Sequence, residues 1–325
     1  MGVIESPSST TSGSAEEMAQ AITGHEDSVL PVAIVGMGMR LPGGIHTPDE
    51  LWGMLVEKRS TRCEIPPTRF SVDGFHSPSS KPGSIAMRHG HFLDDKDDLH
   101  RLDTSFFSMG MTEVSDIDPQ QRMLLEVAYE CMQSSGQTNW RGSNIGCYVG
   151  VWGEDWLDLH SKDLYDSGTY RVSGGHDFAI SNRISYEYDL KGPSFTIKAG
   201  CSSSLIALHE AVRAIRAGDC DGAIVAGTNL VFSPTMSVAM TEQGVLSPDA
   251  SCKTFDANAN GYARGEAINA IFLKPLNNAL REGDPIRALV RATSSNSDGK
   301  TPGMSMPSSE SHEALIRRAY GEVFL

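Results

Sequence analysis

The sequence predicts an α/β fold in which helices cover both faces of a sheet, and two observations carry this prediction. Several predicted strands, such as residues 144–151 (NIGCYVGV), are apolar on both faces, and such strands need cover on each side. These strands alternate along the chain with segments whose apolar residues have helical spacing. At 325 residues the chain is long enough to bury a sizeable core, in one large or two modest domains.

The N-terminal part of the chain begins with a polar segment, which is followed abruptly by an apolar one. Residues 1–28 are rich in Ser, Thr, Gly and Glu and are predicted to form a disordered leader. A buried strand is expected at 31–36 (PVAIVG) and a helix at 49–58 (DELWGMLVEK), followed by an irregular surface excursion over 60–116. The Gly36-Met37-Gly38 segment lacks the third glycine of a dinucleotide-binding fingerprint, so we interpret it as a tight strand-to-loop turn.

A strong helix-start signal follows the excursion. Asp118 can cap, Pro119 suits the first helical position, and Gln121 stands where a capping box has Glu or Gln, which predicts a helix ending near Gly136. The remaining predicted elements are strands at 144–151, 194–198, 222–227, 267–274 and 286–294, and helices from the Cys201 turn through 217, at 276–281 and at 313–320.

Charge and cysteine usage exclude several classes of partner. The net charge of −14 argues against nucleic acid or an anionic membrane as the main partner, since both attract basic surfaces. The six cysteines form no C-x-x-C pair and no zinc-ligand spacing, so we expect no metal site. We expect no cofactor either, since the sequence has neither a complete dinucleotide-binding fingerprint nor a P-loop. Scattered cysteines, the lack of a signal peptide and short apolar runs together predict a soluble cytoplasmic protein.

The segment around Cys201 has the pattern of an activated nucleophile. A β-branched strand meets small residues, then the thiol, then three serines that open a helix, over residues 195–205 (FTIKAGCSSSL). This is the logic of the nucleophile elbow, in which a sharp turn presents the reactive atom outward. Backbone N–H groups and the dipole at the helix start favour the thiolate. We expect the helix to be held by four buried apolar residues, Leu205, Leu208, Val212 and Ile215.

The other five cysteines have no such context. A free cysteine is most often a small buried hydrophobe. That is the interpretation adopted for Cys63, Cys131, Cys147, Cys220 and Cys252.

Residues 192–205 (GPSFTIKAGCSSSL) closely resemble the active-site motif of β-ketoacyl synthases, specifically the ketosynthase domains of modular-type polyketide synthases. Four further segments resemble landmarks of that family, two before this motif and two after it, in the order that the family has them. They are 32–44 (VAIVGMGMRLPGG), 118–126 (DPQQRMLLE), 255–266 (FDANANGYARGE) and 297–303 (SDGKTPG). Two stretches of the excursion, 59–75 and 83–95, are most similar to the N-terminal ketosynthase of fungal highly reducing polyketide synthases.

The resemblance implies a thiolase-like, layered αβαβα fold of two related halves, in a protein that is usually a homodimer. This chain is expected to contain the N-terminal half and the start of the C-terminal half. It implies that Cys201 accepts an acyl chain from the phosphopantetheine of an acyl carrier protein. The enzyme then decarboxylates a malonyl group on the carrier and joins the resulting carbanion to the acyl thioester. Lys198 and Ala199 depart from the Asp and Thr that often precede the nucleophile, which is expected to affect rate or substrate choice.

Malonyl decarboxylation in this family uses histidines in H-G-T-G-T and N-I-G-H motifs, and this sequence contains neither motif. We therefore expect the ketosynthase domain, residues 29–325, to be incomplete at its C-terminal end. No other histidine is expected to substitute. His209 lies about 12 Å along the helix from the thiol and is predicted to be on its surface, while His89 and His91 are predicted in a solvated loop and His176 has no counterpart in the family.

Two functional hypotheses stay open at this point. The first is a ketosynthase of polyketide assembly, in secondary metabolism, with Cys201 as its acyl acceptor. The second is a truncated, catalytically inactive ketosynthase fragment that acts, if at all, as an interaction module. Coding sequence beyond residue 325 that supplies the two histidine motifs would distinguish them. A standalone thioester hydrolase is disfavoured because no general base is evident.

Overall fold

A six-stranded mixed sheet forms the centre of the computed structural model, which describes residues 30–79, 81–94, 99, 101–162 and 168–324. The strand order is β5-β4-β6-β7-β1-β8. These strands are β1 (Val32–Arg40), β4 (Ile145–Val151), β5 (Ser194–Ile197), β6 (Gly222–Asn229), β7 (Ala267–Pro275) and β8 (Ala288–Val290). A separate two-stranded ribbon pairs β2 (Cys63–Glu64) with β3 (His89–Gly90). The predicted leader, residues 1–28, lies outside the described residues, and the domain boundary at 29 stays a prediction.

The half of the sheet that carries Cys201 is parallel. β4 pairs in parallel with both β5 and β6, whereas β7 pairs antiparallel with β6 and β1, and β8 antiparallel with β1. All seven residues of β4 are buried, as are the first seven of β6. The predicted two-sided apolar strands therefore occupy the middle of the sheet.

Helices cover both faces of this sheet, as predicted. Those up to β6 are α1 (Pro48–Val56), α2 (Met111–Asp116), α3 (Pro119–Ser134), α4 (Asp155–His160), α5 (Arg171–Gly175), α6 (Phe178–Glu187) and α7 (Ser203–Ala217), with a 3₁₀ turn at Val72–Gly74. After β6 come α8 (Thr235–Glu242), α9 (Leu276–Glu282) and α10 (Ser309–Phe324). One core cluster joins α3 and α6 to one face of the sheet, and a second joins α7 to the other. The layering is α/β/α.

The interpretation of Gly36-Met37-Gly38 as a turn was wrong. Both glycines lie inside β1, which continues to Arg40 rather than ending at Gly36. A methyl group on Gly36 would stand 2.3 Å from the carbonyl oxygen of Cys131, and one on Gly38 would stand 2.4 Å from that of Val127. The two glycines are needed because the backbone of α3 packs directly on this strand.

Two other local predictions were also wrong. Asp118 does cap α3, accepting from the backbone N–H of Gln120 at 2.8 Å, but Gln121 does not complete a capping box. Its amide donates instead to the carbonyl of Gly174 at 2.9 Å, which fastens α5 to the start of α3. The strand expected at 286–294 is only the three residues of β8, because it pairs with β1 only opposite Val32–Ile34.

In the part of the chain that the structure describes, no helix combines the length and the apolar character needed to cross a bilayer.

Candidate active site

Cys201 lies at a sharp turn between β5 and α7, and its side chain is exposed. Gly200 makes the turn, with φ of +61°, a left-handed conformation that strains residues with a side chain. Ala199 and Cys201 form an isolated β-bridge across it. The predicted elbow is confirmed in geometry: a strand end, a tight glycine turn, and a cysteine one residue before the N-cap of a 15-residue helix.

The buried hydroxyl of Ser203 holds this turn closed. Its Oγ accepts the backbone N–H of Ala199 at 2.9 Å and lies 2.7 Å from the carbonyl oxygen of Gly200. It also lies 3.2 Å from the carbonyl oxygen of Val151, at the end of β4. The second of the three serines after Cys201 thus joins both ends of the turn to the neighbouring strand.

The start of α7 lies unusually close to β4. A methyl group on Gly150 would stand 2.3 Å from the backbone nitrogen of Ser204, so only glycine fits beneath the first turn of the helix. The face of α7 on the sheet accordingly carries small residues, Ala207 and Ala211, both fully buried. The expectation that Leu205 is buried was wrong: it is 67% exposed, because the close approach is made by the alanine side of the helix.

The Cys201 side chain opens onto a cavity of about 320 Å³. Five segments line it: the C-terminal end of β4 with Trp152, the elbow and start of α7, the end of β6, Met240 of α8, and residues 262–265 with Ala267 and Asn269 of β7. The ends of the parallel strands β4 and β6 lie at the same edge of the sheet, where ligand sites of open α/β sheets are commonly found. No histidine belongs to this lining among the residues that the structure describes.

Two side chains of the 255–266 segment give this cavity its electrostatic character. Burial, and secondarily the nearby Cys201, raise the pKa of Tyr262, so its hydroxyl is protonated at neutral pH. Arg264 is 5% exposed and lies over the ring of Trp152 at 5.6 Å. A fixed cation stacked on an aromatic ring therefore forms one wall of the cavity.

Glu266 fixes the segment that carries these side chains. Its carboxylate is fully buried and accepts both Nε and Nη2 of Arg69, at 2.8 and 3.0 Å. It also accepts the backbone N–H groups of Leu93 and Val231, each at 3.0 Å. One carboxylate thus ties the 60–116 excursion, the exit of β6 and the entry to β7 together beside the cavity.

Lys198, which departs from the family pattern, forms an ionic cluster next to the elbow. Its ammonium is paired with the carboxylates of Glu154 and Asp177, the latter at 2.6 Å. Glu154 follows β4 and Asp177 precedes α6. This cluster links the segment after β4 to the start of α6, beside the end of β5.

The surface predictions for three histidines were wrong, although none of the three lines the cavity. His89, expected in a solvated loop, lies in β3 and is half-buried. His209 is half-buried, and its Nδ1 lies 2.8 Å from the hydroxyl of Thr293. His91 is half-buried as well, with Nδ1 2.8 Å from the hydroxyl of Thr61, and burial lowers its pKa. His209 and His91 are held because the chain returns over them, from the region after β8 and from the excursion respectively.

The prediction for the other cysteines was right for three and wrong for two. Cys131, Cys147 and Cys220 are buried, and burial raises the pKa of Cys220 to about 11. Cys63 and Cys252 are exposed, because they lie in the β2–β3 ribbon and in the loop before residue 255, away from the main sheet.

Comparison with known proteins assigns this fold and elbow to the β-ketoacyl synthase family. Residues 30–279 match the model of the β-ketoacyl synthase N-terminal domain, and the chain belongs to that family. It is 81% identical over 299 residues to a highly reducing polyketide synthase of Alternaria alternata, and 70% identical over 295 residues to one of Glarea lozoyensis. These matches cover 92% and 91% of the chain but only 11% and 12% of the relatives, so the chain spans about a tenth of their length.

Solved ketosynthases share the fold. An oxazolomycin ketosynthase domain of Streptomyces albus superposes with a TM-score of 0.83 at 31% identity, covering 91% of this chain and 52% of that one. A ketosynthase from module 6 of the bacillaene synthase of Bacillus subtilis superposes with a TM-score of 0.80 at 32% identity, covering 90% and 49%. The predicted thiolase-like α/β fold is thereby confirmed, and the chain is a ketosynthase segment of the polyketide synthase type.

Sequence reasoning identified Cys201 and the serines that follow it, but none of the cavity side chains that come from other segments. Trp152, Asn229, Tyr262 and Arg264 were missed, although 255–266 had been recognised as a family landmark. A small aromatic and basic motif in a loop gives no sign of which strand ends it will face. Among the described residues, no group of three or more His, Cys, Asp or Glu side chains is arranged to hold a metal ion.

Proposed function

We propose that Cys201 is the acyl-accepting nucleophile of a polyketide-synthase ketosynthase. Its thiolate attacks the carbonyl carbon of an acyl thioester on a carrier protein, the new C–S bond forms at Sγ, and the pantetheine thiol leaves. In the complete reaction, decarboxylation of a malonyl thioester then supplies a carbanion that displaces Sγ and lengthens the chain by two carbons. The products are polyketides of secondary metabolism.

One observation carries this proposal: an exposed thiol on a rigid glycine elbow, at the start of a long helix and at the mouth of a cavity. Backbone N–H groups at a helix start favour negative charge near them, which suits a thiolate and the oxyanion of the tetrahedral intermediate. The cavity wall offers the Tyr262 hydroxyl and neutral polar groups such as Asn229 and Asn269 to an acyl or pantetheine chain.

We propose an acyl carrier protein as the partner and pairing of two copies along β5. β5 is an edge strand, and an uncovered edge can pair with another strand. Phe195 on β5 and Tyr186 on α6 are 54% and 74% exposed, so the same edge is apolar. Sedimentation equilibrium of wild type and Phe195→Lys tests this: a dimer weakened by the charge supports it, and a monomeric wild type contradicts it.

The acyl-acceptor role is tested by intact-mass spectrometry after incubation with an acyl pantetheine thioester. The wild type is expected to gain the mass of one acyl group less one proton, and Cys201→Ala to gain none. Cys220→Ala is the matched control, because Cys220 is a buried thiol at the far end of α7. Folded wild-type protein that gains no acyl group contradicts the proposal.

A further inference from the structure

Arg264 brings a buried positive charge to the wall of the Cys201 cavity. Its side chain is 95% buried, since the residue is 5% exposed, and no other Asp, Glu, Lys or Arg is among the described residues that line the cavity. Its Nη1 donates to Sδ of Met240 at 3.0 Å, and the guanidinium has no other hydrogen-bond acceptor among the described residues. A guanidinium has five N–H donors, and a thioether sulfur is a weak acceptor. Because buried donors without acceptors are unfavourable, Arg264 is suited to a ligand that brings oxygen atoms.

The carboxylates near Arg264 are already engaged elsewhere. Asp155 and Glu266 both act electrostatically on Arg264, but within the described ranges neither is hydrogen-bonded to it. The carboxylate of Asp155 accepts two backbone N–H groups after β6, each at 2.9 Å. Glu266 accepts four hydrogen bonds, from Arg69 and from two backbone N–H groups. The two acids therefore favour the cation without occupying its donors.

The guanidinium and the Cys201 thiol share one small space. Both line the same cavity of about 320 Å³. Tyr262 is influenced by both: burial is the main reason that its pKa is raised, Cys201 raises that pKa further, and Arg264 lowers it. Thr228, whose buried Oγ1 has no partner among the described residues, lines this cavity too. The cavity therefore offers a cation and an unused hydroxyl donor to a ligand that reaches Cys201.

We infer that Arg264 binds the carboxylate of a malonyl thioester and is a specificity-determining residue for the extender unit. This inference rests on the proposed function, which supplies that substrate. A planar guanidinium matches a carboxylate with two parallel hydrogen bonds, and such charge-assisted pairs are stronger than neutral ones. In a malonyl thioester a single methylene separates the carboxylate from the thioester carbonyl, so one small cavity can hold both. The role of Arg264 is to bind the extender, and it is distinct from the loss of CO₂.

Isothermal titration calorimetry on the Cys201→Ala variant tests the site without any acylation. The ligands are the stable amide analogue of malonyl-pantetheine, with NH in place of sulfur, and its methyl ester, which has no charge. The acid should bind about tenfold more tightly than the ester or better, because only the acid makes hydrogen bonds between charged groups. Equal affinities, or no measurable binding of the acid, would overturn the inference. The succinyl analogue is one methylene longer, and if it bound more tightly than the malonyl analogue, the assignment to malonyl would be wrong.

Substitutions at Arg264 in the same Cys201→Ala background locate the preference. Arg264→Met keeps an unbranched side chain against Trp152 and should make the affinities for acid and ester equal, while Arg264→Lys keeps the charge and should retain part of the preference. Arg213→Met is the matched control, since it changes the net charge equally at a side chain that is 66% exposed, and it should retain the full preference.

A folded Arg264→Met variant that still prefers the acid would also overturn the inference, with folding checked by circular dichroism. The comparison of acid with ester needs no change at Arg264, so it stands even if that variant does not fold. The outcome is separate from the acyl-acceptor proposal. Loss of the preference would leave acylation of Cys201 intact, and absence of acylation would leave the preference intact, because the binding measurement does not use the thiol.

Discussion

Replacing Glu266 with Gln is expected to destabilise the protein strongly, because this carboxylate accepts four hydrogen bonds in the core. Oε1 accepts from Arg69 and the backbone of Val231, and Oε2 accepts from Arg69 and the backbone of Leu93. In the amide variant, an NH₂ group must stand where one oxygen stood, so that it faces two donors. Arg69, whose side chain is 3% exposed, also loses its counter-charge.

Breaking a buried ion pair by removing one partner costs about 3–5 kcal/mol, because a charge is left buried and uncompensated. That is a large fraction of the roughly 5–15 kcal/mol that stabilises a folded domain. The double variant Arg69→Met with Glu266→Leu removes both charges and should recover part of the loss. Recovery should be incomplete because the N–H groups of Leu93 and Val231 still lack an acceptor.

Urea unfolding followed by circular dichroism measures this effect through the transition midpoint, with the slope checked for constancy. Glu64→Gln is the matched control, since Glu64 also pairs with an arginine, Arg88, but at the surface. The control midpoint should hardly change. A loss below about 1 kcal/mol for Glu266→Gln, which is the range of exposed pairs, would refute the role assigned to this carboxylate.

Three further predictions concern the elbow and its helix. Gly150→Ala should destabilise the protein by more than the about 1–3 kcal/mol of ordinary overpacking, since the new methyl group would meet backbone at 2.3 Å. In urea unfolding, a loss of free energy within or below that range would contradict this prediction. Ser203→Ala should cost about 1–2 kcal/mol in urea unfolding because a turn N–H loses its acceptor, and the exposed Ser202→Ala should cost less. Leu205→Ala should stay within about 0.5 kcal/mol, whereas Ile215→Ala should cost about 2–5; equal losses would contradict the packing of α7.

The sequence allowed prediction of the elements whose local signals agree with their packing. β4 and β6 were predicted because they are apolar on both faces, and the elbow because small residues and a cysteine separate a strand from a helix. The family assignment rested on five motifs in order, and the comparisons confirm it. In these places, local propensity and tertiary structure favour the same conformation.

The errors fall where tertiary contacts decide. Gly36 and Gly38 look like a turn in sequence, but they lie within a strand because α3 packs on it. Leu205 fits an apolar helical stripe, yet the close approach at Gly150 puts alanines against the sheet. The walls of the Cys201 cavity come from five separate segments, and their proximity depends on strand order, which no single motif encodes.

The central claim, that Cys201 is the activated acyl acceptor, is tested most directly by locating the acyl group after a brief incubation with acyl thioester. Cys201, Cys63 and Cys252 are all exposed, so the two other thiols act as internal controls for accessibility. Tandem mass spectrometry of the digested protein should find the acyl group on the peptide containing Cys201 and on neither of the others. Equal labelling of the three, or labelling of Cys63 or Cys252 alone, would contradict the account.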